Sequence, residues 1–147
     1  MDLQIRHWDS ADKYVGAVLK WYEHWCLEVS YRQHTLGCYI LFCRREGVRL
    51  PSDLHDEELL GLREAMSEIE LALRAHSFFD PDHFNYLQMG NALPLLHFHG
   101  IPRYLMPRNF DGMTWVDKRP GHPPVWKEHE APRVLIEKLR VHMSKHL

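Results

Sequence analysis

Two histidines spaced as His-x-His, His97 and His99, stand in the apolar run Leu93-Pro94-Leu95-Leu96-His97-Phe98-His99-Gly100-Ile101-Pro102-Arg103-Tyr104. An imidazole with an ordinary pKa of about 6.5 can serve near neutral pH as base, nucleophile or ligand. The run reads as a buried strand that starts after Pro94 and ends before Pro102. Side chains alternate on a strand, so Leu95, His97 and His99 share a face, with the imidazoles roughly 6.6 Å apart at about 3.3 Å per residue. Three roles fit such a pair: core histidines with satisfied hydrogen bonds, a grip on phosphate, or two ligands of a metal completed from elsewhere. For the metal role, Asp111 and His122 in the following loop region are within reach in sequence. Two imidazoles on an apolar strand cost stability unless something polar lies on that face, so a functional pair stands level with the core reading, since spacing fixes a shared face but no reaction.

Positioning such a pair requires a sheet, and the chain supplies one. Trp25–Tyr31 and Leu36–Cys43 are rich in β-branched and aromatic residues and flank a polar turn at Arg32-Gln33-His34-Thr35, which predicts an antiparallel hairpin. His83–Met89 alternates enough for a third strand, and Gly90-Asn91 is a turn signal leading into the histidine strand. Between them, Leu59, Leu62, Met66, Ile69 and Leu73 recur at steps of three and four, predicting a long helix capped by Ser52 or Asp53 and ending near His76-Ser77. Asp9–Asp12 and a stripe of Tyr14, Val15, Val18, Leu19 and Tyr22 predict a first helix over about 10–22. Pro and Gly make 105–126 a loop region with a short strand at 113–116, and a last helix is expected over about 131–145 on Val134, Leu135, Leu139 and Met143. The fold class is therefore α+β: an antiparallel sheet of about five strands, a long central helix, and N- and C-terminal helices.

Composition narrows the partners. At 147 residues one domain over 1–147 is expected, and 45% apolar with 26% charged residues is the balance of a folded globular chain. Eighteen basic against twenty acidic side chains leave a formal charge of −2, so no global field draws in nucleic acid or an anionic membrane. Three cysteines and no charged-then-apolar leader make a reducing cytoplasm the expected setting, and no run approaches the roughly 18 apolar residues of a membrane span.

The stretch Gly90-Asn91-Ala92-Leu93-Pro94-Leu95-Leu96-His97-Phe98-His99-Gly100-Ile101-Pro102-Arg103 resembles the signature of the histidine triad superfamily, His-φ-His-φ-His-φ-φ with φ apolar. His97 and His99 match its second and third histidines, and Leu95 stands at the first. The Ile-Pro-Arg-Tyr tail and the upstream Phe84-Asn85-Tyr86 look like its bacterial subgroup, and Glu23-His24-Trp25 and Leu36-Gly37 fit the strands ahead of the long helix. The resemblance implies a homodimer that binds a nucleotide or nucleotide conjugate. It also implies attack by His97 on the α-phosphorus, a nucleotidyl-histidine intermediate, and no metal or other cofactor. It assigns His99 to a phosphoryl or leaving oxygen, Asn91 to the phosphate and Asn85 to phosphate or ribose, with Trp25, Leu27 and Ile40 as possible base-pocket walls. With Leu95 unable to donate or accept, a catalytically weak or silent nucleotide-binding or interaction module is the alternative, and a metal-binding His-x-His hydrolase a further one.

Overall fold

The computed structural model describes residues 15–147. Its centre is a five-stranded antiparallel sheet in the order β1-β2-β3-β5-β4. The strands are β1 (Val18–Trp21), β2 (Trp25–Val29), β3 (Tyr39–Cys43), β4 (His83–Leu87) and β5 (His97–Arg103), with helix α1 (Asp56–Ala75) between β3 and β4. A small ribbon of β6 (Arg108–Phe110) and β7 (Met113–Trp115) follows, then helix α2 (Arg133–Met143). No helix among the described residues is long and apolar enough to cross a membrane.

Strand alternation divides the sheet into two chemically different faces. Trp25, Leu27 and Val29 of β2 and Tyr39, Leu41 and Cys43 of β3 are buried in one core with Leu62, Ala65, Ile69 and Leu73 of α1 and Leu135, Ile136, Leu139 and Met143 of α2. Cys26 and Phe42 belong to a separate small cluster with Leu95 on the opposite face. Register places His97 beside Phe42 and His99 beside Ile40, so both imidazoles are on the face away from the helices.

Several elements differ from the sequence expectation. The expected first helix is absent where it can be followed, because Val18–Trp21 pairs with β2 as Val18↔Glu28, Lys20↔Leu27 and Trp21↔Cys26, and residues 10–14 lie outside the described residues. Cross-strand partners decide a segment whose local pattern is compatible with a helix. Helix α1 starts at Asp56 rather than after Ser52 or Asp53: His55 is its N-cap, and Glu58 Oε1 accepts the His55 backbone N–H at 2.7 Å. Asp53 instead accepts the Leu50 N–H at 3.0 Å and closes a separate 3-10 turn, Pro51–Asp53. In the expected apolar stripes, Leu59 and Val134 are exposed, while Ile136 takes a buried position on α2.

The histidine strand also has other limits. β5 begins at His97, because Leu95 N–H turns back to Leu93 O at 2.8 Å and Leu96 N–H goes to Val48 O at 3.0 Å. It runs through Pro102 to Arg103, since pairing with β3 ends at Gly100 and beyond it the strand has only β4 as a neighbour. Gly100 is required: a Cβ there would lie 2.1 Å from the Tyr39 ring. That ring lies against Gly100 and sends its hydroxyl to Tyr86 at 2.6 Å, which donates to Glu70 at 2.7 Å.

Candidate functional site

His97 is positioned by its own backbone and by Phe42. Its ring stacks on Phe42 at 5.3 Å and 24°, and its Nδ1 lies 2.6 Å from the carbonyl oxygen of Leu95. A carbonyl only accepts, so Nδ1 carries the proton and the lone pair of the neutral imidazole resides on Nε2. The tight turn at Leu93–Leu95 aims that carbonyl, so the residue at 95 acts on His97 through its main chain. The Leu95 side chain is buried in the apolar cluster with Cys26 and Phe42.

His99 stands edge to face with His97 at 5.1 Å and with Trp126 at 5.4 Å. Burial, then the neighbouring His97, His34 and Arg32, push its pKa down to about 4, so at neutral pH it is an uncharged hydrogen-bonding group. Trp126 stacks in turn on His34 at 3.8 Å and 23°. His34 Nδ1 accepts the Lys127 backbone N–H at 2.9 Å, which leaves the ring proton on Nε2. That Nε2–H is buried and has no hydrogen-bond partner, an arrangement that costs about 1–3 kcal/mol when left unsatisfied. Burial, then Lys127 and Arg32, hold the His34 pKa at about 4.

These residues line a cavity of about 570 Å³ on the helix-free face. Its floor is Glu28, Ile40 and Phe42 from β2 and β3 with His97 and His99 from β5, and its rim is the Met89–Leu93 turn, Trp126 and Glu130. The cavity joins an apolar wall at Ile40 and Phe42 to convergent polar groups, the usual make-up of a small-molecule pocket.

Of the residues singled out from sequence, His97, His99 and Asn91 come together here, with Asn91 exposed at the rim. Asn85 does not line the cavity: its Oδ1 accepts from Arg103 Nη1 at 2.7 Å. Arg103 is buried and also holds Asp117 through Nε at 2.7 Å and Nη2 at 3.1 Å, anchoring the 117–122 segment by the carbonyls of Arg119 and His122. Ile40 is a wall of the cavity, whereas Trp25 and Leu27 face the helices, Trp25 donating its indole N–H to Glu58 O at 2.8 Å. Asp111 pairs with Lys138 at 2.5 Å, and among the described residues no three His, Cys, Asp or Glu side chains are arranged to hold a metal ion. His34 and Trp126 are the residues that sequence reasoning missed. One sits in what reads as a hairpin turn and the other in the Pro-rich loop region, and only their approach to His99 in space reveals them.

No protein-family model and no curated protein matches this sequence, but solved structures do match the fold. A histidine triad protein of Sinorhizobium meliloti superposes with a TM-score of 0.67 at 16% identity over 89% of each chain. The chain has the histidine triad fold. A Hit-like protein of Bartonella henselae, described as involved in cell-cycle regulation, matches with a TM-score of 0.63 at 18% identity over 89% of this chain and 86% of that one. A histidine triad nucleotide-binding protein of Sulfolobus tokodaii matches with a TM-score of 0.59 at 14% identity over 86% and 83%. Within this version of the histidine triad fold, the motif strand carries two histidines, and a third, His34, reaches the same cavity from the β2–β3 loop.

Proposed function

We propose that the cavity binds a nucleotide and that His97 is the nucleophile of a nucleotidyl hydrolase or transferase acting on the α-phosphorus of a nucleotide conjugate or dinucleoside polyphosphate. The observation that carries this reading is the 2.6 Å contact between His97 Nδ1 and Leu95 O, which assigns the lone pair to Nε2 on the cavity side of the sheet. In the reaction, Nε2 attacks phosphorus, an N–P bond forms, and the bond to the leaving group breaks with its electron pair on the departing atom. Water then attacks phosphorus, the N–P bond breaks with its pair returning to Nε2, and the water's proton passes to solvent. His99 and Asn91 are hydrogen-bonding groups for the phosphoryl oxygens, and Ile40 and Phe42 supply apolar wall for a base or sugar. Asn85, committed to Arg103, fixes that arginine farther along the histidine face rather than serving as a ligand.

The test is incubation of the purified protein with dinucleoside polyphosphates and nucleoside phosphoramidates, followed by measurement of released nucleoside monophosphate. Release by the wild type and none by His97→Ala is the expected result. The Leu95 side chain, packed among Cys26 and Phe42, favours a second reading: a catalytically weak or silent nucleotide-binding module. Nucleotide binding without turnover and without a trapped nucleotidyl-histidine would select it.

A further inference from the structure

The two motif imidazoles are held by different means. His97 has a hydrogen bond to the Leu95 carbonyl and a stack on Phe42, whereas neither ring nitrogen of His99 has a hydrogen-bond partner among the described residues. The torsion that turns an imidazole about its Cβ–Cγ bond is broad and roughly two-fold, so such a ring takes its orientation from what packs on it. Two rings pack on His99: His97 at 5.1 Å and 73°, and Trp126 at 5.4 Å and 80°. Trp126 belongs to neither apolar cluster and is 39% exposed at the cavity rim, so core burial does not fix it. Its segment has no regular secondary structure, and three hydrogen bonds fasten that segment to the β2–β3 loop. Lys127 N–H donates to His34 Nδ1 at 2.9 Å, Arg32 Nε–H to Glu128 O at 2.9 Å, and Ala131 N–H to Tyr31 O at 2.7 Å. The His34 ring backs the indole at 3.8 Å and 23°.

Resting on the nucleotide reading above, we infer that Trp126 is a positioning residue: it sets the His99 imidazole for its hydrogen bond to the phosphoryl group, and the 126–131 segment, fastened to the β2–β3 loop, holds Trp126 in place. His99 is half-buried and lines the cavity, so its nitrogens are within reach of a ligand. An imidazole left to swing spends binding energy on being ordered, and a displacement of about 1 Å in a group that meets the substrate costs up to about a hundredfold in rate. An aromatic edge-to-face contact restrains the ring without occupying either nitrogen. His97 does not need this device, because its Nδ1 is already spent on the Leu95 carbonyl. His99 must keep its nitrogens for the phosphate, and a hydrogen bond to the protein would compete with that use.

The experiment is calorimetric binding of AMP, and of ribose 5-phosphate as sugar and phosphate without the base. The proteins are wild type, Trp126→Ala, Trp126→Phe, His99→Ala and the double variant Trp126→Ala with His99→Ala. Trp126→Ala should weaken both ligands by the same factor, about three- to tenfold, the cost of ordering one side chain. Trp126→Phe keeps a flat ring against His99 and should recover most of that loss. With His99 removed the indole has nothing to position, so the double variant should bind AMP no worse than His99→Ala alone. If Trp126→Ala fails to fold, Trp126→Leu takes its place in the cycle, filling volume without a flat ring. Additive losses in the double variant, or no loss in Trp126→Ala, would overturn this inference alone. A loss confined to AMP would also overturn it, by making Trp126 a stacking partner of the base. Failure of the wild type to bind AMP would overturn the nucleotide reading and this inference with it.

Discussion

The Leu95 carbonyl oxygen accepts a hydrogen bond from His97 Nδ1 at 2.6 Å, so the residue that stands where the superfamily signature has a histidine still governs the motif through its main chain. Its side chain and its carbonyl do separate jobs: the isobutyl group fills an apolar cluster, and the carbonyl fixes a tautomer. The first two predictions follow from that division.

Replacing the proposed nucleophile should separate chemistry from binding. His97→Ala is expected to lower kcat by at least about a thousandfold, as removal of a covalent nucleophile does elsewhere, with nucleotide affinity changed little. Rapid-quench capture of a nucleotidyl-histidine in the wild type and its absence in the variant is the direct check. Unchanged turnover in His97→Ala would remove His97 from the chemistry.

At position 95 the substitution Leu95→His puts an imidazole among Cys26 and Phe42 rather than into the cavity. It should cost about 1–3 kcal/mol in urea unfolding and leave turnover no faster. A rate gain in this variant would mean that the side chain reaches the phosphate, against the packing described above.

Acid should weaken the fold in a defined window. An unfolded histidine takes its proton near pH 6.5, whereas His34 and His99 stay neutral down to about 4, in both cases chiefly because they are buried. His76 is shifted in the same direction by burial and by His142. The unfolded chain therefore binds more of these protons, and the histidine contribution to stability must fall as pH drops from about 6.5 to about 4 and change no further below. Glu58, held at about 2 first by its hydrogen bonds from Arg45, adds its own loss as pH falls from about 4.5 to about 2. Thermal melts from pH 7 to pH 4 should show a steady fall in Tm, with a shallower slope in His34→Gln.

Gly100 admits no side chain. Gly100→Ala would drive the Tyr39 ring off the strand and break its hydroxyl chain to Tyr86 and Glu70, at a cost of about 1–3 kcal/mol or more. Because His99 is the next residue, the same variant should also raise KM. A melt and a substrate titration together distinguish this from a purely surface effect.

The Arg103–Asp117 pair is buried on both sides, with its guanidinium further bonded to Asn85. Removing one partner leaves an uncompensated charge, so Asp117→Ala should cost about 3–5 kcal/mol by chemical denaturation. A loss below 1 kcal/mol would show that water reaches the guanidinium.

Local pattern was enough for the elements whose residues repeat with one period. The β2–β3 hairpin, the long helix, the β4 strand and the sharing of a face by His97 and His99 all follow from alternation, helical spacing and turn residues, because these are set by backbone geometry within a few residues. Val18–Trp21 was not legible, since its helical spacing is real and only the partner strand β2 turns it into an edge strand. The limits of β5 were not legible either: they depend on where β3 stops pairing and on Val48 taking the Leu96 N–H. Sequence alternation put Leu95 on the histidine face, and there it is found, but packing against Cys26 and Phe42 buries its side chain beside the cavity rather than in its lining. The site itself divides the same way. The motif determined which two imidazoles stand together. The tertiary structure alone brought His34 and Trp126, 92 residues apart in sequence, onto one another beside His99, because stacking between distant loops leaves no period in the chain to read.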